Sequence, residues 1–298
     1  MIKRLRHTFI IIGTALLVSS CTSTQFGDVF SGYAQQMADA RLATNNGDFS
    51  DAIQKVDKRS SSDGTYALSL LEIGRLQFLN KDWENSQKTF DLAYSNIQKA
   101  EAGAKLQVSR GFENIGSVMS NDNARRYDVP LYEQSMMHSY QALNYLYEQG
   151  IESALVEVRR ANLVQERALK ANASELNKAQ QKMSGYGISP DALSSTYPSM
   201  AEEIGEIKNG FQNAYTFYLS GILYEAAGEE NDAYIDYKKA LEITPKNSYL
   251  QNDVWRLAKK LHMTSDINQF EQYFPSVITK KAFAGNQGEV VIIIEQGI

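Results

Sequence analysis

Few side chains of this 298-residue sequence combine in a pattern that could support catalysis. The only cysteine, Cys21, lies in a signal-like segment, and the histidines that follow it, His138 and His262, are far apart in the sequence. A histidine–cysteine metal site is therefore excluded, and no phosphate loop, metal-binding histidine pair or nucleophile elbow is present. The spacing of the carboxylates selects no acid–base pair. We predict no enzymatic activity, no cofactor and no metal site, with His138 packed or on the surface of a helix.

The amino-terminal segment predicts targeting rather than folded structure. A basic start, Lys3 to Arg6, precedes an apolar run from Phe9 to Val18 that is too short to span a bilayer comfortably. The closing Val-Ser-Ser-Cys21 resembles a bacterial lipoprotein signal, which implies that Cys21 is acylated, for example with palmitate, and becomes the new N-terminus. Thr22 follows, and resemblance to the sorting rule of enteric bacteria implies that the absence of Asp there favours the outer membrane. The alternative is an ordinary secretory signal.

The segment from Ala214 to Asn247 carries the most informative pattern of the chain. Small, aromatic and helix-stopping residues recur there as in a helix–turn–helix repeat of about 34 residues, namely at Gly221, Gly228, Ala233, Tyr237, Ala240 and Pro245. This pattern resembles a tetratricopeptide (TPR) repeat. Gly221 should let two helices approach closely, and Gly228 should supply the turn. The same offsets recur around Gly74, where Phe90 corresponds to Tyr237, and around Ala40 and Ala142.

We therefore predict an all-α fold, a TPR-like α-solenoid of helix pairs. The segments are a signal peptide at 1–20, a tether at 21–32, a helical array at 33–275 with units near 33–66, 67–100, 135–168 and 214–247, and an extension at 276–298. A unit at 101–134 is degenerate, because Asn121 to Pro130 has the composition of a loop. The helix that begins near Glu152 should continue to Met183, before a loop rich in Gly, Pro and Ser.

Resemblance to TPR arrays implies that four positions of each first helix face inward and contact a protein partner. They are Tyr215, Tyr218, Ile222 and Glu225 in the best repeat, Leu68, Leu71, Arg75 and Phe78 in the second, and Met136, Ser139, Leu143 and Leu146 in the unit at 135. The resulting groove is aromatic and aliphatic, and it departs from TPR domains that clamp a peptide carboxylate. Alternatively, the long helix or the 121–130 loop covers these side chains.

A more specific resemblance covers most of the chain after the signal. Asn121-Asp122, Tyr132-Glu133, Ala142 to Tyr145 and Val156 to Arg160 are similar to segments of a family of gammaproteobacterial TPR-containing outer-membrane lipoproteins. That family has no established activity, and its gene neighbourhoods imply a role in envelope or peptidoglycan biogenesis. The polar residues that this resemblance singles out for partner binding are Arg125, Arg126, Tyr127, Tyr132, Glu133, Glu157, Arg159 and Arg160.

The carboxyl end departs from the repeat pattern. Gly288 to Glu295 is a β-branched run that predicts a lone strand. One strand cannot satisfy its own backbone groups, so it would pair with a sheet of a partner, or the sequence is a piece of a longer protein.

Charge and composition limit the classes of partner. Removal of residues 1–20 deletes three basic and no acidic side chains, which shifts the formal net charge from −5 to −8 and disfavours nucleic acid. We expect a membrane-anchored, periplasm-facing scaffold that binds envelope proteins, with no small-molecule substrate. The alternatives are a cell-wall hydrolase on a helical scaffold, and a secretion or polysaccharide-export accessory lipoprotein.

Overall fold

The structure, a computed structural model, describes residues 37–109, 126–185, 212–273 and 290–294, together with Tyr33 and Gln35. These residues are mainly helical, which agrees with the predicted all-α class. The chain divides into two compact units, Met1–Asp57 and Lys58–Ile298. Cys21 and residues 121–125 of the predicted 121–130 loop, Arg125 among them, lie outside the described residues.

The first unit contains one described helix pair, α1 (Ala38–Asn45) and α2 (Phe49–Lys55). Gly47 adopts a positive φ of 75° in the turn, a conformation that strains residues with a β-carbon. The Asp48 side chain then accepts a hydrogen bond from the Asp51 backbone nitrogen and caps α2. Ala40 and Ala52 are both buried, as expected for small residues where two helices meet.

The second unit contains four helix pairs among its described residues. Their bounds are α3 (Tyr66–Leu79) with α4 (Trp83–Ser109), α5 (Leu131–Glu148) with α6 (Ile151–Gly185), α7 (Ala214–Ala226) with α8 (Glu230–Ile243), and α9 (Ser248–Lys260) with α10 (Thr264–Tyr273). In each pair we call the earlier helix the first helix and the later one the second helix.

Two glycines permit close approach within pairs, as the repeat pattern predicted. A β-carbon on Gly221 would lie 2.4 Å from the Tyr237 ring, and one on Gly74 would lie 2.9 Å from the Phe90 ring. Both rings are almost fully buried. The equal sequence spacing of the two glycine–aromatic pairs therefore reflects one recurring contact between a first helix and its second helix.

The turns and caps repeat with the same period. Gly228 and His262 have φ values of 80° and 56° and occupy the turns after α7 and α9. Asn213 and Asn247 cap these two helices through side-chain oxygens that accept backbone N–H hydrogen bonds. Each residue is 34 positions from its counterpart, so α9 and α10 form a further repeat that the sequence units did not include.

Two second helices are longer than a repeat requires. The helix α6 runs without interruption from Ile151 to Gly185, which confirms the prediction of a long helix through Met183. The helix α4 continues to Ser109, so residues 101–109 prolong it and do not begin a new helix. Pro130 then directly precedes α5, where its fixed φ and missing N–H suit a helix start.

The predicted carboxyl-terminal strand is not observed in its described part. Val290 to Ile294 lie outside regular secondary structure, and all five side chains are exposed. The described residues are otherwise helices and turns, which provide no sheet edge for pairing. A high β-propensity is not enough to form a strand when no neighbouring strand accepts its hydrogen bonds.

Candidate functional site

The first helices of neighbouring pairs contact one another through polar side chains. The Arg75 Nε of α3 donates to the Tyr140 hydroxyl of α5 at 3.1 Å. The hydroxyls of Ser139 on α5 and Thr216 on α7 are 3.1 Å apart. Hydrogen bonds of Tyr218 and Glu225 join α7 to α9 in the same way, so α3, α5, α7 and α9 lie side by side.

Two of the α7 residues predicted to face a partner, Tyr218 and Glu225, contact α9. The Tyr218 hydroxyl donates to Asp253 Oδ2 at 3.0 Å. The Glu225 carboxylate accepts hydrogen bonds from Arg256 Nη1 and Nη2 at 2.5 and 2.8 Å, a bidentate ion pair. We call this surface the first-helix face, and it comprises Arg75, Phe78, Tyr140, Tyr215, Tyr218, Ile222, Glu225, Tyr249, Asp253 and Arg256.

The charges of Glu225 and Arg256 on this face neutralise each other. Burial by itself would raise the pKa of Glu225, but the hydrogen bonds and charge of Arg256 outweigh burial and hold this pKa below its usual value. Hydrogen bonding to Glu225 in turn raises the pKa of Arg256. Both groups therefore stay ionised and paired at neutral pH. Neither is available to clamp the carboxylate of a peptide.

Aromatic rings cover the end of the face near α3. Phe78 meets the edges of Tyr140 and Trp83, with ring centroids 5.1 Å apart in both cases. Trp83 also stacks on Tyr147 at 4.4 Å, and Tyr147 is 59% exposed. Tyr215 and Ile222 of α7 are partly buried against the core. These side chains are aromatic or aliphatic, and neighbouring helices cover much of their surface. The open groove stays a prediction.

A second group of predicted residues gathers before and at the start of α5. The Tyr127 and Tyr132 hydroxyls both donate to Glu133 Oε1, at 2.7 and 3.2 Å. Arg126 lies apart from this group, where its Nη2 donates to the carbonyl and side-chain oxygens of Asn96. Burial and the Glu133 carboxylate raise the pKa of the Tyr132 phenol, which therefore stays neutral.

The charged residues of the predicted segment Val156 to Arg160 point in different directions. Glu157 is 1% exposed and accepts from the Arg160 guanidinium at 2.5 Å, while its other oxygen is 2.7 Å from His138 Nδ1. Arg160 also lies over the Tyr94 ring. Arg159 is exposed and pairs with Glu229 at 3.1 Å. Glu157 therefore holds α5 and α6 together, and Arg159 is the residue of the three that a partner could reach most easily.

The sequence did not identify Tyr249, Asp253 and Arg256 as part of the face. Their helix, α9, has Trp255 where other repeats have a small residue, and its turn has His262 in place of glycine. The signal that could have found it is the Asn-capped helix start at Asn247, 34 residues after Asn213. Tyr249 is 73% exposed and lies one turn before Asp253 on the same side of α9.

Neither a metal-binding cluster nor a membrane-spanning helix is found among the described residues. These residues contain no cluster of three or more His, Cys, Asp or Glu side chains that could hold a metal ion. None of the helices searched in the same part of the chain is both long and apolar enough to cross a bilayer.

No protein-family model and no curated protein matches the chain. Among solved structures, it is similar to MamA (TM-score 0.41, 12% identity, covering 84% of this chain and 97% of that chain). It is also similar to a MamA RS-1 ArsTM double mutant (0.39, 10%, 80% and 88%) and to the TPR2AB domain of yeast Sti1 in a complex with pHSP90 (0.30, 12%, 81% and 89%). At such low TM-scores, the TPR-like description depends on the recurring glycine–aromatic contacts, turns and caps of the chain itself.

Proposed function

We propose that this chain is a protein-binding scaffold, anchored by lipid on Cys21 to the outer membrane and facing the periplasm. Its role would lie in cell-envelope or peptidoglycan biogenesis, and its partner would be another envelope protein. The observation that carries the proposal is the first-helix face, in which four first helices contact one another and carry aromatic side chains, of which Tyr249 is exposed.

The composition of the face favours a polypeptide as its ligand. Stacked repeats provide extended surfaces of this kind, and aromatic residues supply much of the binding energy at protein interfaces. Tyr249, 73% exposed, is the most accessible ring of the face, whereas Tyr218 is tied to Asp253. Because Glu225 and Arg256 neutralise each other, the preferred segment is apolar and contacts the face mainly through its side chains.

The anchor and the role in the envelope are supported by the sequence. A basic start, a short apolar run and a single cysteine form the signal-like segment that ends at Cys21. Acylation there would supply the two or more chains that stable membrane binding requires. The negative charge of the remaining chain opposes direct binding to anionic lipid, which leaves the lipidated cysteine as the point of attachment.

Photo-crosslinking in cells tests the binding role. A photoreactive phenylalanine derivative replaces Tyr249 on the face, or Leu163 on the second helix α6, which is 60% exposed and serves as a matched control. We expect a discrete adduct with an envelope protein from position 249 and none from position 163. Adducts of equal yield from both positions, or none from position 249, would count against the scaffold role.

Replacing Cys21 by Ser tests the anchor in the same cells. We expect the wild-type chain to sediment with the outer membrane, and the Cys21→Ser variant to appear in the soluble periplasmic fraction, because the serine lacks the thiol to which the lipid would be attached. Membrane retention of the serine variant, resistant to high salt, would contradict lipid anchoring at this residue.

A further inference from the structure

A pocket of about 460 Å³ opens between the starts of α5 and α7 and the second half of α6. Leu131 and Tyr132 of α5, Ala168 and Asn172 of α6, and Ala214 of α7 are among its eight lining residues. This volume falls within the range of about 300–1,000 Å³ that is typical of ligand sites. None of the lining side chains is an acid, a lysine, an arginine or a histidine.

The polar groups of the pocket mostly bond to the chain itself. The Asn172 Nδ2 donates to the Ala168 carbonyl at 2.8 Å, and Gln212 Nε2 donates to the Gln165 carbonyl at 3.0 Å. The Asn213 side-chain oxygen accepts the backbone hydrogen bonds that cap α7. A polar or charged ligand would therefore lose hydration and find few replacement hydrogen bonds in the pocket. An apolar ligand has no such hydrogen bonds to replace.

The position of the pocket follows from the irregular repeat. The helix α6 continues past the end of its 34-residue unit, and α7 starts only at Ala214. Insertions in repeat proteins occur on one face of the array, which is often the binding face. Tyr132, 58% exposed, stands at this opening with its hydroxyl bonded to Glu133.

We propose that this pocket receives one or two uncharged apolar side chains, of leucine or phenylalanine type, from the polypeptide that the scaffold binds. The inference rests on the proposed function, because it assigns the partner an apolar anchor that inserts beside α6. Arg167, next to the lining residue Ala168, is already paired with Glu101 at 2.7 Å, so it is not available to recruit an acidic side chain.

The test uses methyl-resolved NMR of the full chain with Cys21→Ser in solution. The probes are N-acetyl-leucine amide and N-acetyl-phenylalanine amide, compared with the corresponding lysine and glutamate amides. We expect the apolar probes to shift the Ala168 and Leu131 methyl signals, and the charged probes to bind at least about tenfold more weakly. Two variants of α7 are compared, Ala214→Leu in the pocket and Ala226→Leu at the exposed opposite end of the helix.

Filling the pocket should abolish the shifts in Ala214→Leu, whereas Ala226→Leu should retain them. Circular dichroism checks that both variants fold, and Tyr132→Ala, at an exposed position, supplies a second variant that should weaken binding. Absence of methyl shifts, equal shifts in the Ala214→Leu variant, or tighter binding of a charged probe would overturn the proposal. A crosslink from position 249 without methyl shifts would refute the pocket alone and leave the scaffold role standing.

Discussion

Replacing Gly221 by Ala is expected to destabilise the unit Lys58–Ile298 by about 2 kcal/mol, although alanine is the better helix former. The added β-carbon would lie 2.4 Å from two atoms of the Tyr237 ring. That ring is 2% exposed, and its hydroxyl donates to Glu225 at 3.1 Å, so it cannot move aside freely. Denaturation by urea, followed by circular dichroism, measures the change in unfolding free energy.

The chain offers a matched control in Gly103 of α4. A β-carbon there would meet no atom within 4 Å, so Gly103→Ala should stabilise the protein by up to about 1 kcal/mol through helix propensity alone. Adding Tyr237→Leu to Gly221→Ala should cost less than the sum of the two single changes, because the leucine leaves room for the methyl group. A Gly221→Ala variant that is as stable as Gly103→Ala would refute close approach at this point.

The contacts within each pair were predictable from the sequence, because the repeat period fixes them. Gly221 and Tyr237 have the same spacing as Gly74 and Phe90. A glycine opposite a ring lets the ring pack closely against the first helix. The long helix α6 was predictable for a related reason. Its sequence lacks Pro and Gly between Ile151 and Met183, so nothing interrupts the backbone hydrogen bonds.

Contacts between pairs were less predictable, because they depend on how neighbouring helices are rotated. The sequence placed Tyr218 and Glu225 on a face open to a partner, and the structure gives them Asp253 and Arg256 as neighbours instead. Glu157 is a further example. The resemblance singled it out for partner binding, yet it is buried against His138, a contact that pattern alone could not indicate.

A disulfide between α5 and α7 should stabilise the unit by about 4 kcal/mol. The Ser139 and Thr216 hydroxyl oxygens are 3.1 Å apart, and the two residues are 3% and 2% exposed. Their replacement by cysteine in the Cys21→Ser chain creates the only two thiols of the protein. A bond across 77 positions of sequence constrains the unfolded chain strongly, which is the origin of the expected stabilisation.

The matched control moves one cysteine by one turn along α7. The Ser220 hydroxyl donates to Asp236 Oδ2 of α8 at 2.5 Å, so its side chain points toward α8 rather than α5. The pair Ser139→Cys and Ser220→Cys should therefore keep both thiols free under mild oxidation, because a disulfide requires β-carbons about 3.5–4.5 Å apart.

Successive first helices lie side by side and so share one face. The shared face is tested by mass spectrometry of the Ser139→Cys, Thr216→Cys protein. The protein is oxidised first, and an alkylating reagent then marks any thiols that are still free. We expect near-complete intramolecular disulfide in this variant and two alkylated cysteines in the Ser220 control. Two alkylated cysteines in the Ser139 and Thr216 variant, with the protein folded, would contradict the shared face.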